Sequence, residues 1–282
     1  MKNDSGINNA GTFHIICREC DGTVFQNYED PETYINTPTP EMLNQIVLKN
    51  SLRDIYKHET ELELFDLFKA MMVRKEPKFA SLFDMFLEPQ RSARKLDINE
   101  CYGVCNRAKA FIDDKLPWFE LASYDLLDFV TPVAFQGMMA ISTGMNGEII
   151  NNRFTTDINY KLEYLHLAIL PLQNKTAVIT IVDKSNERIK QFVFFLQTAP
   201  SATRLEVLNR MLFMYAEDYF FSKQLKDKTI KSLELVAQML QDAGTVKGYE
   251  NQALAREIRD YDLRRDIAIP NLLTKEYEVI KC

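Results

Sequence analysis

Apolar side chains recur at helical spacing over the first third of the chain and give way to short β-prone runs in its middle. Leu43, Ile46, Val47, Ile55, Leu62, Phe65 and Phe68 stand mostly three or four residues apart, the interval that lays a stripe along one face of an α-helix. Thr39 offers a hydroxyl as N-cap and Pro40 suits the first helical position, so the spacing predicts one long helix or two broken ones from Pro40 to about Arg74. Phe79 to Leu87 and Ile98 to Ile112 read as further helix, interrupted at Pro89 and closed by Pro117.

Past Trp118, β-branched and aromatic residues gather in runs bounded by turn residues: Val133 to Thr143, Tyr164 to Leu172, Thr176 to Asp183 and Ile189 to Thr198. The short connections at Asn174-Lys175 and Asp183 to Glu187 favour antiparallel hairpins, since parallel neighbours need long crossovers. Val178, Thr180 and Val182 alternate with Ile179 and Ile181, and the unbroken apolar run Phe192 to Leu196 predicts a central strand buried on both faces. Ser201 then caps a helix with Leu205, Leu208, Leu212, Tyr215 and Tyr219 on its inner face. A second helix spans Thr229 to about Leu240 and stops at Gly244. Beyond Val246 the chain is highly charged, with Leu254, Ile258 and Tyr261 as a thin stripe, which predicts a weakly docked helix and a loose tail.

The N-terminal part reads differently. Met1 to Gly11 is rich in Asn, Gly and Ser, and residues 1–12 are expected to be disordered. Phe13 to Phe25 looks like two β-prone runs joined by a turn carrying Cys17, Cys20 and Asp21-Gly22, the shape of a knuckle. Pro31, Pro38 and Pro40 make an extended connector behind it. The expected architecture is α+β. A cysteine knuckle and connector (13–40) and a helical block (41–117) lead into a mainly antiparallel sheet of four to five strands covered by C-terminal helices (118–244). A charged, partly helical tail (245–282) follows.

Charge narrows the function classes. Forty acidic and thirty-four basic side chains leave a net charge of −6, so no global field draws in a phosphate backbone. The basic groups Arg91, Arg94, Lys95 and Arg256, Arg259, Arg264, Arg265 are interleaved with acids, as on solvated faces. Nucleic acid is therefore not an expected partner. No apolar run approaches the roughly 18 residues of a membrane span, and the N-terminus lacks the basic-then-apolar order of a signal peptide. Five cysteines, an odd number, fit a reducing compartment, and the expected location is the cytoplasm.

The sharpest chemical motif is Cys17-x-x-Cys20, two thiols at the separation a tetrahedral zinc ion accepts. A full site needs two more ligands. Cys101 and Cys105, four apart on one helical face, are the expected second pair, with His14 as another candidate donor. As alternatives, Cys101 and Cys105 are small core hydrophobes, or Cys17 and Cys20 are a redox pair. The stretch Cys17 to Asp30, with Met214 to Ser222, resembles an uncharacterised bacterial family whose longer members carry an upstream C-x-x-C half-site, similar to HNH-type and other treble-clef zinc modules. In such modules the second C-x-x-C completes a zinc site, and a catalytic histidine, where present, lies between the halves; this sequence has no cysteine before Cys17.

Other chemistry is sparse. The three histidines, His14, His58 and His166, have no neighbouring His or Asp in the order an HNH nuclease needs. There is no phosphate-binding glycine loop and no nucleophile elbow. Tyr215, Tyr219, Phe220 and Phe221 are read as lying on one helix and either packing the core or lining a ligand cleft. These readings lead to a non-enzymatic zinc-knuckle protein acting through a protein partner or ligand, in a bacterial accessory or defence setting on the resemblance alone. The alternatives are a divergent HNH-type nuclease completed by a partner and a small-molecule sensor with a cleft beside the sheet.

Overall fold

A computed structural model describes residues 16–152, 159–216, 218–243 and 268–280. The expected disorder of 1–12, the first run of the knuckle with His14, Gly244 and the stripe Leu254, Ile258 and Tyr261 lie outside the described residues. The fold is α+β: a five-stranded antiparallel sheet with helices on both faces.

The first elements are helices, which corrects the expected hairpin knuckle. Helix α1 spans Arg18–Val24 and α2 spans Gln26–Glu29, followed by a 3₁₀ turn at Pro31–Ile35. Cys17 is extended and its Sγ accepts the Cys20 N–H at 3.2 Å, as an N-cap does, with Glu19 and Asp21 in the first turn. An acceptor side chain followed by acids suits a helix start, so Asp21-Gly22 lies inside a helix and makes no turn.

Helix α3 runs Pro40–Lys75, with Thr39 Oγ1 accepting the Met42 N–H as expected. Helix α4 runs Ala80–Asp114 without a break at Pro89. The proline is tolerated because it falls in an exposed stretch, where water can take the carbonyl it leaves without a donor. Only the near ends of this hairpin meet the sheet: Ile46, Val47 and Ile55 of α3 and Cys101, Val104 and Ala108 of α4 are buried, packed on Ala168, Ala177, Ile179 and Ile181.

The strands are β1 (Phe119–Leu127), β2 (Val133–Met139), β3 (Leu165–Pro171), β4 (Thr176–Asp183) and β5 (Phe220–Phe221), in the order β1-β4-β3-β2-β5. Strand β1 was not among the predicted runs. The β1–β2 connection skips two strands in five residues. It is stitched down by Thr176, whose hydroxyl accepts the Thr131 N–H at 2.9 Å and donates to the Phe129 carbonyl at 3.0 Å. All eight residues of β4 are buried, making it the strand covered on both faces.

The predicted central strand at Phe192 to Leu196 is instead helix α5 (Lys190–Thr198), which buries Phe192, Val193 and Leu196 and exposes Phe194. With α6 (Ser201–Tyr215) and α7 (Asp227–Ala243) it covers the second face of the sheet, on Val133, Phe135, Leu167, Ile169, Val178 and Val182. Ser201 is the first residue of α6, not its cap, and its Oγ donates to Asp125 Oδ1 at 2.6 Å. Arg204 grips the same carboxylate through Nε and Nη2 at 2.7 and 2.6 Å. The described part of the tail, 268–280, is not loose, since Leu272 and Leu273 are buried in the core. Buried Asn209 holds it by accepting the Leu272 N–H and donating to the Pro270 carbonyl, each at 3.0 Å.

Candidate functional site

A cleft of about 790 Å³ lies between the N-terminal helices, α3 and the β2–β3–β5 side of the sheet. Its size falls in the range of small-molecule sites. The sheet side contributes mostly apolar lining, among it Ala134, Leu170, Leu172 and Phe220, together with Gln136 and Gln173. The helical side contributes Glu29, Lys49, Asn50 and Arg53 beside Tyr28, Pro31 and Tyr34.

Each polar group is placed by the fold. Lys49 and Arg53 are four residues apart on α3 and so share a face. Lys49 Nζ pairs with Glu29 and, at 3.1 Å, with Asp21, and lies 5.0 and 5.6 Å from the ring centres of Phe25 and Tyr28. Burial works against its charge, yet the hydrogen-bonded Glu29 and Asp21 carboxylates favour the protonated amine and its pKa lies above the usual range. Burial likewise pushes the Tyr28 phenol up to about 12, so it remains a neutral hydroxyl. Arg53 donates to the Gln136 carbonyl at 2.5 Å and pairs with Asp218 at 3.1 Å.

A hydrogen-bonded line leads from the cleft into the core. Gln136 Nε2 donates to Asn50 Oδ1 at 2.9 Å, and Asn50 Nδ2 lies 3.4 Å from Nδ1 of His166. With Asn50 as donor, the imidazole keeps its proton on Nε2 and is neutral. Full burial, with Arg107 adding to it against Asp183, pushes the His166 pKa down to about 3. The group is a core acceptor that orients Asn50, and it has no place as a general base near pH 7.

The predicted metal ligands fall in two settings. Cys17 and Cys20 are exposed at the start of α1; Cys101 and Cys105 are buried on α4. The Cys20 thiol and backbone N–H both stabilise the Cys17 thiolate, lowering its pKa, while the same contact raises that of Cys20. Burial pushes both Cys101 and Cys105 thiols up, which keeps them protonated and disfavours them as ligands. Among the described residues no group of three or more His, Cys, Asp or Glu side chains is arranged to hold a metal ion. His58 hydrogen-bonds Glu61 at 3.3 Å on its own helix.

Sequence reasoning missed Tyr28, Lys49, Asn50, Arg53 and Gln136 as site residues. Each is unremarkable in its own segment, and no local pattern singles them out. The aromatic cluster is divided: α6 ends at Tyr215, Tyr219 packs on the core, and Phe220 in β5 lines the cleft. No family model, curated protein or solved structure matches the chain. Among the described residues no helix is long and apolar enough to cross a membrane.

Proposed function

We propose that this is a non-enzymatic binding protein that takes a small amphipathic molecule, with an apolar body and one anionic or strongly hydrogen-bonding end, in the cleft beside β2, β3 and β5. The observation that supports this reading is the segregation of the lining, with Ala134, Leu170, Leu172 and Phe220 on one side and Lys49, Asn50 and Arg53 on the other. An apolar body gains roughly 0.8 kcal/mol per methylene removed from water. The head competes with Glu29 for Lys49, and that exchange moves Glu29, which belongs to α2. Occupancy thereby reaches the N-terminal helices, a route by which a bound molecule changes what a protein partner meets. The odd cysteine count supports a cytoplasmic setting for this activity.

The reading is tested by thermal shift with octanoate and octanol on the wild-type chain and on Ala134→Phe, which fills the apolar side. Octanoate is expected to raise the melting midpoint more than octanol does, and Ala134→Phe is expected to remove both shifts.

Cys17 and Cys20 keep a second reading as half of a zinc site, favoured by their spacing and shared exposure. It requires donors from outside the described residues or from another molecule. Zinc that co-purifies with the wild type and is lost in Cys20→Ser supports it; equal, negligible zinc in both removes it.

A further inference from the structure

The α3–α4 hairpin carries an apolar surface that stands exposed among the described residues. Ile55 is the last buried residue of α3 and Ile98 the first of α4; between them no described side chain is buried. Twenty helical residues beyond Ile55 extend roughly 30 Å. Among the described residues this arm is two helices thick, with no third layer on its outer faces.

Leu64, Leu67, Phe68 and Met71 are 49–57% exposed, and on α4 Leu82, Met85 and Phe86 are 42–62% exposed. Their spacing is i, i+3, i+4, i+7 on α3 and i, i+3, i+4 on α4, the seam of a helix that expects a packed neighbour. The ion pairs between the two helices, Asp66 with Arg91 and Lys69 with Asp84, mark one face of the hairpin. Leu64 and Phe68 each stand two residues from Asp66, and Leu82 and Phe86 two from Asp84, about 200° around their helices. Both apolar pairs therefore lie away from these two ion pairs, while a third pair between the helices, Glu61 with Arg94, borders the apolar face one turn before Leu64.

Two quantities indicate what covers that face. The seven side chains expose roughly 800 Å², the contribution of one partner to a stable protein interface and more than the largest patch of an ordinary monomer. Charge on the arm is balanced: residues 56–97 hold eight basic and eight acidic side chains, within a chain of net charge −6. An uncharged arm lets two copies meet without mutual repulsion, whereas an anionic membrane or a nucleic acid would select a basic one. We infer that the arm is a self-association surface, on which two copies of this chain lay their α3–α4 hairpins together about a two-fold axis as a four-helix bundle. This is independent of what the cleft binds.

The test is sedimentation velocity of the full chain from nanomolar to high micromolar concentration, alone and with phosphatidylcholine–phosphatidylglycerol vesicles. The wild type is expected to be a dimer that dissociates on dilution. Phe68→Glu/Phe86→Glu, with helix content checked by circular dichroism, is expected to raise the dissociation constant about a hundredfold or more. If that variant loses helix, hydrogen exchange of the wild type replaces it, with protection over 64–71 and 82–86 expected to rise with concentration. A wild type that stays monomeric throughout overturns the inference. So does a dimer unaffected by the double substitution, concentration-independent exchange, or a monomer that binds only the vesicles.

Discussion

Arg204 of α6 and Asp125 of β1 form a two-pronged ion pair in which the arginine also donates to the Leu196 and Ala199 carbonyls at 3.0 and 2.9 Å. Both side chains are largely out of water. One guanidinium thus ties an edge strand to the end of α5 and the start of α6, a geometry that lysine cannot reproduce. Removing one partner leaves a buried charge unpaired, so Asp125→Asn and Arg204→Met are each expected to cost about 3–5 kcal/mol in urea unfolding. Arg204→Lys is expected to recover little of this loss, and near-wild-type stability in that variant would contradict the assignment.

His166 sets a pH dependence. Its folded pKa of about 3 lies below the value of about 6.5 that it regains on unfolding. Between these values the unfolded chain binds a proton that the folded chain does not. The contribution is therefore complete above pH 6.5 and is lost as pH falls toward 3, at about 1.4 kcal/mol per pH unit. Chemical denaturation of wild type and His166→Gln at pH 7.5 and 4.5 is expected to show a shallower acid loss in the variant by about 2–3 kcal/mol.

Asn209 fastens the described tail. Asn209→Ala removes both hydrogen bonds and leaves the Leu272 N–H and Pro270 carbonyl without their partner. A loss of about 1–3 kcal/mol is expected, together with faster proteolysis within 268–280. Unchanged proteolysis of that segment would show that burial of Leu272 and Leu273 alone retains it.

The cysteines should separate by reactivity. Cys17 is exposed with a stabilised thiolate, while Cys101 and Cys105 are buried and held protonated. Brief iodoacetamide treatment of the native protein followed by peptide mass spectrometry is expected to label Cys17 first and Cys101 and Cys105 only after unfolding.

Local chemistry was legible where it acted alone. Thr39-Pro40 announced the start of α3, and the pause at Asn174-Lys175 announced the β3–β4 hairpin. Segments with two competing signals were misread. Phe192 to Leu196 is apolar enough for a buried strand, but Ile189, Phe192, Val193 and Leu196 follow the i, i+3, i+4, i+7 rule, and that period decided the outcome. Cys17 to Val24 was read as part of a hairpin turn, but the sequence there starts a helix, with the Cys17 sulfur accepting the Cys20 N–H. The cleft was hidden for a different reason. Its lining comes from five segments between Tyr28 and Phe220, and only the packing of α3 on the sheet brings Gln136 beside Asn50.

The central claim concerns the cleft, and calorimetric titration of hexanoate, octanoate and decanoate into wild type and Lys49→Met tests it most directly. Affinity is expected to rise about fourfold per added methylene in both proteins, with Lys49→Met weaker at every length by a constant factor. Affinity that ignores chain length, or equal affinity in the two proteins, would contradict a cleft that sorts a ligand into an apolar body and a charged head.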